Sequence, residues 1–213
     1  MKSRRTALVL APHTDDGEFG CGATINKLIK SGWDVYYVAF SACQQSVLPH
    51  FPKDILVREV KLATVVLGIK PENLVLFNYE VRTFNFHRQD ILNDMIKLRN
   101  EIRPSMIFIP TISDVHQDHQ TIAHEALRAF KFSSILSYEL PWNNFHFTSS
   151  YYFPVDEDNM LKKLNALKEY KSQSHRDYAD DSFIYELARV RGVQIGTRFA
   201  EAFDLKRMIY DED

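Results

Sequence analysis

The chain has 213 residues and a formal net charge of −2, with 45% hydrophobic and 25% charged residues. This composition is ordinary for a globular domain, and the absence of a long basic run argues against a nucleic-acid partner. No apolar stretch approaches the roughly 18 residues that a bilayer span needs. Acidic residues interrupt the N-terminal apolar run by Asp15, so we expect no signal peptide.

Only two cysteines, Cys21 and Cys43, occur in the chain, which is not the pattern of a disulfide framework. We therefore expect a single cytoplasmic domain over residues 1–213 with reduced thiols. The short basic segment KSRR, at residues 2–5, is interpreted as a solvated start to the first strand.

Short apolar runs alternate with longer segments of helical periodicity, a pattern that predicts βαβ units and a parallel sheet. The predicted elements, in chain order, are a strand at 7–11, a helix at 22–30, a strand at 35–40, a long loop at 41–53, a helix at 54–67, a strand at 74–77, a helix at 88–102, a strand at 106–109, a helix at 121–130, a strand at 135–138, an edge strand at 151–154, and helices at 156–170 and 181–190.

The expected architecture is an α/β fold with a Rossmann-like open, mainly parallel, doubly wound sheet. Helices cover both faces, and a mixed extension follows at the C-terminal end. Such sheets bind ligands at the carboxyl ends of the strands, where the strand order reverses. If the order is 3-2-1-4-5, this crevice lies between the first and fourth predicted strands.

Two polar clusters follow those two strands, His13-Thr14-Asp15-Asp16 and His116-Gln117-Asp118-His119. A histidine and an aspartate with a distant second histidine match the three protein ligands of a catalytic zinc site. A divalent ion would also offset the repulsion between Asp15 and Asp16, and it would leave one carboxylate free as a general base. Each cluster alone is a weak signal, because an aspartate at this place can simply cap the following helix.

The remaining candidates for metal or cofactor binding have ordinary interpretations. Cys21 is interpreted as a small residue packed at the start of a helix, and Gly20-Cys21-Gly22 lacks the full dinucleotide fingerprint. A Rossmann-type oxidoreductase is therefore not expected. The other five histidines lack matching neighbours and are predicted to lie at the surface: His50, His87, His124, His146 and His175.

The stretch APHTDDGEFGCGATI, together with DVHQDH, resembles the PIG-L/LmbE-like family of zinc-dependent N-deacetylases. The resemblance extends over nearly the whole chain. Its supporting segments are Glu59, Ala63 and Leu67-Gly68, KEYKSQ at 168–173, and ARVRGVQIGTRFAEAF at 188–203. A single deacetylase domain is the implied organisation, and relatives in this family are often oligomeric, so a homo-oligomer is an expectation.

The resemblance implies a role for each residue of the two clusters. His13, Asp16 and His119 would bind one Zn²⁺ per chain, although iron, cobalt or manganese could also suit such ligands. Asp15 would be the general base. His116 would polarise the acetyl carbonyl and help to protonate the leaving amine, with Asp118 supporting it.

The implied reaction is hydrolysis of an acetamide on an N-acetylglucosamine-type sugar to the amine and acetate. That sugar could be free or conjugated to a nucleotide, a lipid or a thiol. Candidate substrate contacts are Arg58, Trp142 and Gln194.

The first motif departs from the family pattern at two positions. Thr14 replaces a usual proline, and Gly17 stands where glutamate is common, with Glu18 one position later. Neither position supplies a ligand in the family scheme. Two alternatives stay open: a metal-dependent phosphoesterase or nuclease, which often needs two metal ions, and a non-catalytic, metal-stabilised sugar-binding module.

Overall fold

A computed structural model describes residues 5–210 of the chain. Most of the KSRR segment lies outside the described residues; its last residue, Arg5, is exposed and directly precedes the first strand. The described part of the chain contains no helix with the length and apolar character needed to cross a membrane.

Within residues 5–210, seven strands form one sheet in the order β3-β2-β1-β4-β5-β7-β6. Neighbours from β3 to β5 pair in parallel, whereas β7 pairs antiparallel with both β5 and β6. The strands are β1 (Thr6–Ala11), β2 (Asp34–Ala39), β3 (Leu74–Leu76), β4 (Met106–Pro110), β5 (Ser134–Tyr138), β6 (Tyr151–Val155) and β7 (Phe199–Arg207). The predicted order 3-2-1-4-5 and the mixed C-terminal extension are confirmed.

Helices cover both faces of the sheet. They are α1 (Asp16–Lys30), α2 (Ile55–Leu67), α3 (Arg88–Ile102), α4 (Gln117–Ala129), α5 (Glu157–Leu167) and α6 (Asp181–Gln194). The apolar side chains of α1, α2, α5 and α6 join one core, and those of α3 and α4 join the core on the opposite face. Residues 7–11 of β1 are fully buried, because both cores pack against this central strand.

Two helices begin earlier than the apolar periodicity predicts. The first starts at Asp16 instead of residue 22, with a break in its backbone at Cys21 (φ −148°, ψ 25°). The fourth starts at Gln117 instead of residue 121. In both cases the first turn carries the polar residues of a cluster, so helical periodicity becomes visible only after it. The remaining predicted helices agree to within four residues at each end.

Strand β7 is an element that the sequence analysis did not predict. It lies between β5 and β6, so the predicted edge strand at 151–154 is confirmed as an edge but is separated from β5. The strand order also determines which segments of the chain meet at the edge of the sheet. Because β1 and β4 are adjacent parallel strands, the segments that leave their carboxyl ends lie side by side.

Candidate active site

A cleft of about 300 Å³ opens at the carboxyl ends of β1 and β4. It holds both polar clusters that the sequence analysis singled out, although about 100 residues separate them in sequence. Asp15 and Asp16 belong to the segment after β1, and His116 and His119 come from the segment after β4.

The five other histidines, which were predicted to lie at the surface, are all exposed.

Three ligand atoms form a nearly equilateral triangle in the cleft. His13 Nδ1 lies 3.2 Å from Asp16 Oδ2, His119 Nε2 lies 3.3 Å from the same oxygen, and the two nitrogens are 3.2 Å apart. Ligands about 2.0–2.1 Å from a tetrahedral ion are separated by roughly 3.3–3.4 Å, so these three atoms fit three corners of such a site. The structure therefore contains a donor set that fits one small divalent ion.

A buried carboxylate contacts the second nitrogen of each histidine in the triangle. Asp118 Oδ2 lies 3.1 Å from His13 Nε2, and Asp114 Oδ2 lies 2.8 Å from His119 Nδ1. A carboxylate accepts hydrogen bonds, so each contact places the ring proton on the nitrogen that faces away from the triangle. The other nitrogen of each ring is then free to coordinate, which is the usual arrangement around a protein-bound metal.

His116 lies beside the triangle, and the ligand atoms of His13, His116 and His119 lie within 4.8 Å of one another. This residue caps α4, because its Nδ1 accepts a hydrogen bond from the backbone N–H of Asp118 at 3.2 Å. Burial, followed by the charges of His13 and His119, lowers the pKa of His116 to about 4. The ring is therefore neutral near pH 7 and carries its proton on Nε2.

Burial and charge act in opposite directions at the triangle. Burial alone would raise the pKa of Asp16, but its contacts with His119 and His13 hold that pKa well below its usual range. At His119, burial alone would lower the pKa, but the contacts with Asp16 and Asp114 outweigh it and raise the pKa to about 10. In the absence of a cation, protons on the imidazoles compensate the carboxylates, so a metal ion would displace those protons.

Asp15 precedes α1 and is only partly buried at the floor of the cleft. Burial, followed by the charge of Asp16, raises the pKa of Asp15 to about 6. No side chain among residues 5–210 donates a hydrogen bond to this carboxylate. A free carboxyl group with a pKa near neutrality, next to a metal-binding triangle, has the properties of a general base.

Asp118, expected from the sequence to support His116, has its carboxylate on His13 instead. Oδ2 of Asp118 is 4.0 Å from His116 Nδ1, beyond hydrogen-bond distance. The carboxylate also accepts hydrogen bonds from the backbone N–H groups of Arg82 (2.6 Å) and Phe84 (3.3 Å). Asp118 thus joins both polar clusters to the segment after β3.

The three residues named as substrate contacts lie in different places. Trp142 lines the cleft and stacks on Tyr178, with ring centroids 4.0 Å apart and an interplanar angle of 10°. Arg58 is exposed on α2 and pairs with Asp54. Gln194, at the end of α6, contacts Tyr152 and Arg191. Only Trp142 of these three belongs to the cleft, and the roles of Arg58 and Gln194 stay untested predictions.

Two features of the site were missed from the sequence. Asp114, fully buried, contacts His119 and also accepts a hydrogen bond from the backbone N–H of His116 at 2.8 Å. The available signal was its position in DVHQDH, where it is the first of two acids around the histidines. The second feature is a buried group of hydroxyls around Glu18, contributed by Tyr37 and Tyr170.

That group accounts for one of the two departures of the first motif from the family pattern, the one at residues 17 and 18. A Cβ atom on Gly17 would lie 2.5 Å from the ring of Tyr37, so no larger residue fits there without movement. The Tyr37 hydroxyl accepts a hydrogen bond from the backbone N–H of Gly17 at 3.0 Å and contacts the carboxyl group of Glu18. Glycine at position 17 therefore leaves room for the Tyr37 ring, and glutamate at position 18 contacts the hydroxyl of the same ring.

A sequence model of the family described as PIG-L, GlcNAc-PI de-N-acetylase, matches residues 8–130. This match covers more than half of the chain and includes both polar clusters. The chain belongs to the PIG-L family. The family assignment agrees with the resemblance inferred from the two motifs, and no structural observation on residues 5–210 conflicts with it.

Individual relatives show how far this similarity extends. A probable N-acetyl-α-D-glucosaminyl L-malate deacetylase 2 from Bacillus cereus is 30% identical in an alignment of 140 positions that covers 59% of this chain and 60% of that protein. A diacetylchitobiose deacetylase from Thermococcus kodakarensis is 23% identical in an alignment of 220 positions, gaps included, that covers 92% of this chain and 81% of that protein.

A solved structure of the N,N′-diacetylchitobiose deacetylase from Pyrococcus horikoshii has the same fold. It superposes with a TM-score of 0.80 at 23% sequence identity, over 96% of this chain and 84% of that one. At this identity the superposition establishes the fold of the PIG-L chain and not its substrate.

Proposed function

We propose that this PIG-L chain is a zinc-dependent N-deacetylase that hydrolyses the acetamide of an N-acetylglucosamine-type sugar. The observation that carries the proposal is the triangle of His13 Nδ1, Asp16 Oδ2 and His119 Nε2, with edges of 3.2–3.3 Å. The names of the relatives, which are deacetylases of N-acetylglucosamine derivatives or diacetylchitobiose, support the choice of substrate class.

Zinc is the ion favoured by this donor set. Two imidazoles and one carboxylate, with an open side towards a cleft, form the usual arrangement of a catalytic zinc site, whereas a structural site is closed by a fourth protein ligand. When bound, the ion would act as a Lewis acid on the acetyl carbonyl and lower the pKa of a coordinated water. Among the described residues, one group of three neighbouring ligand residues is present, His13, His116 and His119, and it shares two members with the triangle. This supports one ion per chain and not a two-metal phosphoesterase.

Asp15 is assigned as the general base. Its carboxylate lies beside the triangle but takes no part in it, so it can accept the proton of the attacking water. As the water oxygen bonds to the acetyl carbon, the π electrons of the carbonyl group move onto the acetyl oxygen. Their return re-forms the carbonyl group and breaks the C–N bond. A non-catalytic binding module would have no use for a free carboxylate with a raised pKa at this place.

His116 is assigned as the hydrogen-bond donor to the acetyl oxygen. Its Nδ1 is occupied by the backbone N–H of Asp118, so the neutral ring has only Nε2–H to offer. Donation from a fixed ring to an oxygen that gains negative charge stabilises the transition state more than the substrate. The proton taken up by Asp15 is then available for the departing amine, which leaves acetate and the free amino sugar.

The experiment that tests the proposal measures metal content and acetate release in the same protein samples. The substrates are N-acetylglucosamine, its methyl glycoside, its nucleotide conjugate and N,N′-diacetylchitobiose. Wild type is compared with Asp15→Asn and His119→Ala. The matched control is His124→Ala, because His124 is an exposed histidine on the same helix as His119.

We expect about one zinc per chain and acetate release from at least one substrate in the wild type and in the control variant. His119→Ala should lose the zinc, and Asp15→Asn should keep it while losing at least about a hundredfold in rate, as removal of a general base does. Undiminished zinc in His119→Ala would contradict the ligand assignment. Full activity in Asp15→Asn would contradict its role as the base.

A further inference from the structure

Two arginines, Arg82 and Arg176, line the cleft without an acidic partner. No carboxylate of residues 5–210 forms an ion pair with either guanidinium within 4.0 Å. Several arginines elsewhere in the described chain do form such pairs: Arg58 with Asp54, Arg88 with Glu125, and Arg191 with Glu139. The cleft is thus lined by two guanidinium groups that have no carboxylate partner among the described residues.

The backbone of Arg82 is held in an unusual conformation. Its φ angle is +70°, which non-glycine residues adopt rarely, and its N–H donates to Asp118 Oδ2 at 2.6 Å. That same oxygen contacts His13 of the triangle. The structure thus fixes the point from which the Arg82 side chain leaves, directly beside the metal-binding residues.

Arg176 is placed by an aromatic pair on another part of the cleft wall. Its guanidinium carbon lies 5.9 Å from the ring centroid of Tyr178, and Tyr178 stacks on Trp142. Arg176 also lines the same cleft as Asp15, the proposed general base.

The acidic side chains that line the cleft, Asp15 and Asp16, lie at the metal end. A divalent ion would compensate them there, and it would leave the two guanidinium groups without a counter-charge at the mouth. Guanidinium groups bind phosphate and carboxylate oxygens through paired hydrogen bonds. A neutral sugar would leave both of these donors facing water.

We propose that the substrate carries an anionic substituent, a phosphate or a carboxylate on the sugar or on its aglycone, and that Arg82 and Arg176 bind it. This inference rests on the proposed deacetylase function for its substrate and names the chemical class of that substrate. Trp142 and Tyr178 would contact the sugar ring between the anion and the acetamide, because apolar ring faces pack on aromatic side chains.

The test uses the zinc-loaded protein and three glycosides that differ in charge: N-acetylglucosamine 1-phosphate, the carboxymethyl glycoside and the neutral methyl glycoside. Acetate release gives kcat/KM for each. The variants are Arg82→Gln and Arg176→Gln. Arg103→Gln is the matched control, since Arg103 is an exposed arginine outside the cleft that also has a positive φ angle.

We expect at least one anionic glycoside to exceed the neutral one by about tenfold in kcat/KM, the size of one charge-assisted hydrogen bond in a partly solvated site. Arg82→Gln or Arg176→Gln should remove most of that advantage, because each substitution lowers kcat/KM for the anionic glycosides more than for the neutral one. The control variant should keep the advantage. The phosphate and carboxylate arms identify which anion the site prefers.

Two results would overturn the anion site and leave the deacetylase function standing. In the first, the neutral glycoside is hydrolysed as fast as both anionic ones. In the second, both variants lose kcat/KM equally on charged and neutral substrates. If no substrate releases acetate, the deacetylase function fails, and equilibrium binding decides the anion site separately. Tighter binding of glucosamine 1-phosphate than of methyl glucosaminide, lost in Arg82→Gln or Arg176→Gln, would support the anion site. Equal binding of the two would overturn it.

Discussion

Oδ2 of Asp118 lies 3.1 Å from Nε2 of His13, across a separation of 105 residues. The same oxygen accepts the backbone N–H of Arg82, and Oδ1 accepts that of Phe84. One buried carboxylate therefore orients a histidine of the triangle and anchors the segment after β3. The orientation of His13 Nδ1 towards Asp16 and His119 depends on this contact.

Asp118→Asn should weaken zinc binding by about 10- to 100-fold, the usual effect of losing a residue that orients a metal ligand. An asparagine offers one oxygen where three N–H groups need acceptors, so its amide nitrogen must face one of these donors. Competition with a fluorescent chelator measures the affinity. Asp90→Asn, an exposed substitution on α3, is the control and should bind zinc like the wild type.

Unfolding curves of the metal-free proteins accompany that measurement, because Asp118 also supports two backbone amides. A fall in stability with unchanged zinc affinity would show that Asp118 serves the loop and not the metal site. Such a result would contradict the expected role of the His13 contact.

The position of the site was predictable from the sequence, and its internal contacts were not. The apolar runs of β1 and β4 are continuous because both faces of these parallel strands are buried, so the polar residues that follow them stand out. Their meeting follows from the strand order. By contrast, whether Asp118 contacts His116 or His13 depends on side-chain geometry, which sequence spacing does not define.

Strand β7 was not predicted because its sequence lacks a clear apolar pattern. Glu201 lies in its first half with its side chain almost fully buried, where an alternating pattern would need an apolar residue. That carboxylate is compensated by Lys163 of α5. A buried ion pair between two distant elements leaves no local signal, so the segment resembles a polar loop.

Tyr37→Phe should destabilise the folded protein by about 1–3 kcal/mol, the cost of leaving buried polar groups without partners. The hydroxyl accepts the N–H of Gly17 and lies 3.0 Å from the carbonyl oxygen of Thr14. Urea unfolding measures the loss. Tyr36→Phe is the matched control on the same strand, since no hydrogen bond of its hydroxyl is found within residues 5–210. Equal stability of the two variants would refute the expected role of the buried hydroxyl.

Glu18→Gln should change the pH dependence of stability. Burial raises the pKa of Glu18 to about 8, from an unfolded value near 4.5. The folded state therefore favours the protonated group, and its contribution to the free energy of unfolding is complete below pH 4.5 and declines as the pH rises to about 8. Glutamine stays neutral, so the variant should gain stability relative to the wild type between pH 5 and pH 8.

The measurement is urea unfolding of metal-free protein in chelating buffer at several pH values. Above pH 8 the difference between variant and wild type should become constant. Glu186→Gln, an exposed substitution on α6, is the control, and its free energy of unfolding should depend on pH in the same way as that of the wild type. A Glu18→Gln curve parallel to the wild type would mean that Glu18 is already ionised in the folded protein across this range.

Glu201→Ala should destabilise the protein by about 3–5 kcal/mol, because it leaves a buried lysine without its counter-charge. Glu201 Oε1 lies 2.6 Å from Lys163 Nζ, and the carboxylate also accepts the backbone N–H groups of Ala23 (3.2 Å) and Thr24 (2.7 Å). These two amides follow the break in α1 at Cys21, where the helical hydrogen-bond pattern is interrupted.

Asp158→Ala is the control for an exposed ion pair, since Asp158 contacts Lys30 at the surface, and we expect no measurable change in the midpoint of urea unfolding. Adding Lys163→Met to Glu201→Ala should recover part of the loss, because the uncompensated charge is then absent while the two α1 amides still lack their acceptor. If the double variant is less stable than Glu201→Ala, the loss in the single variant comes from packing and from the amides of α1, and not from the buried charge of Lys163.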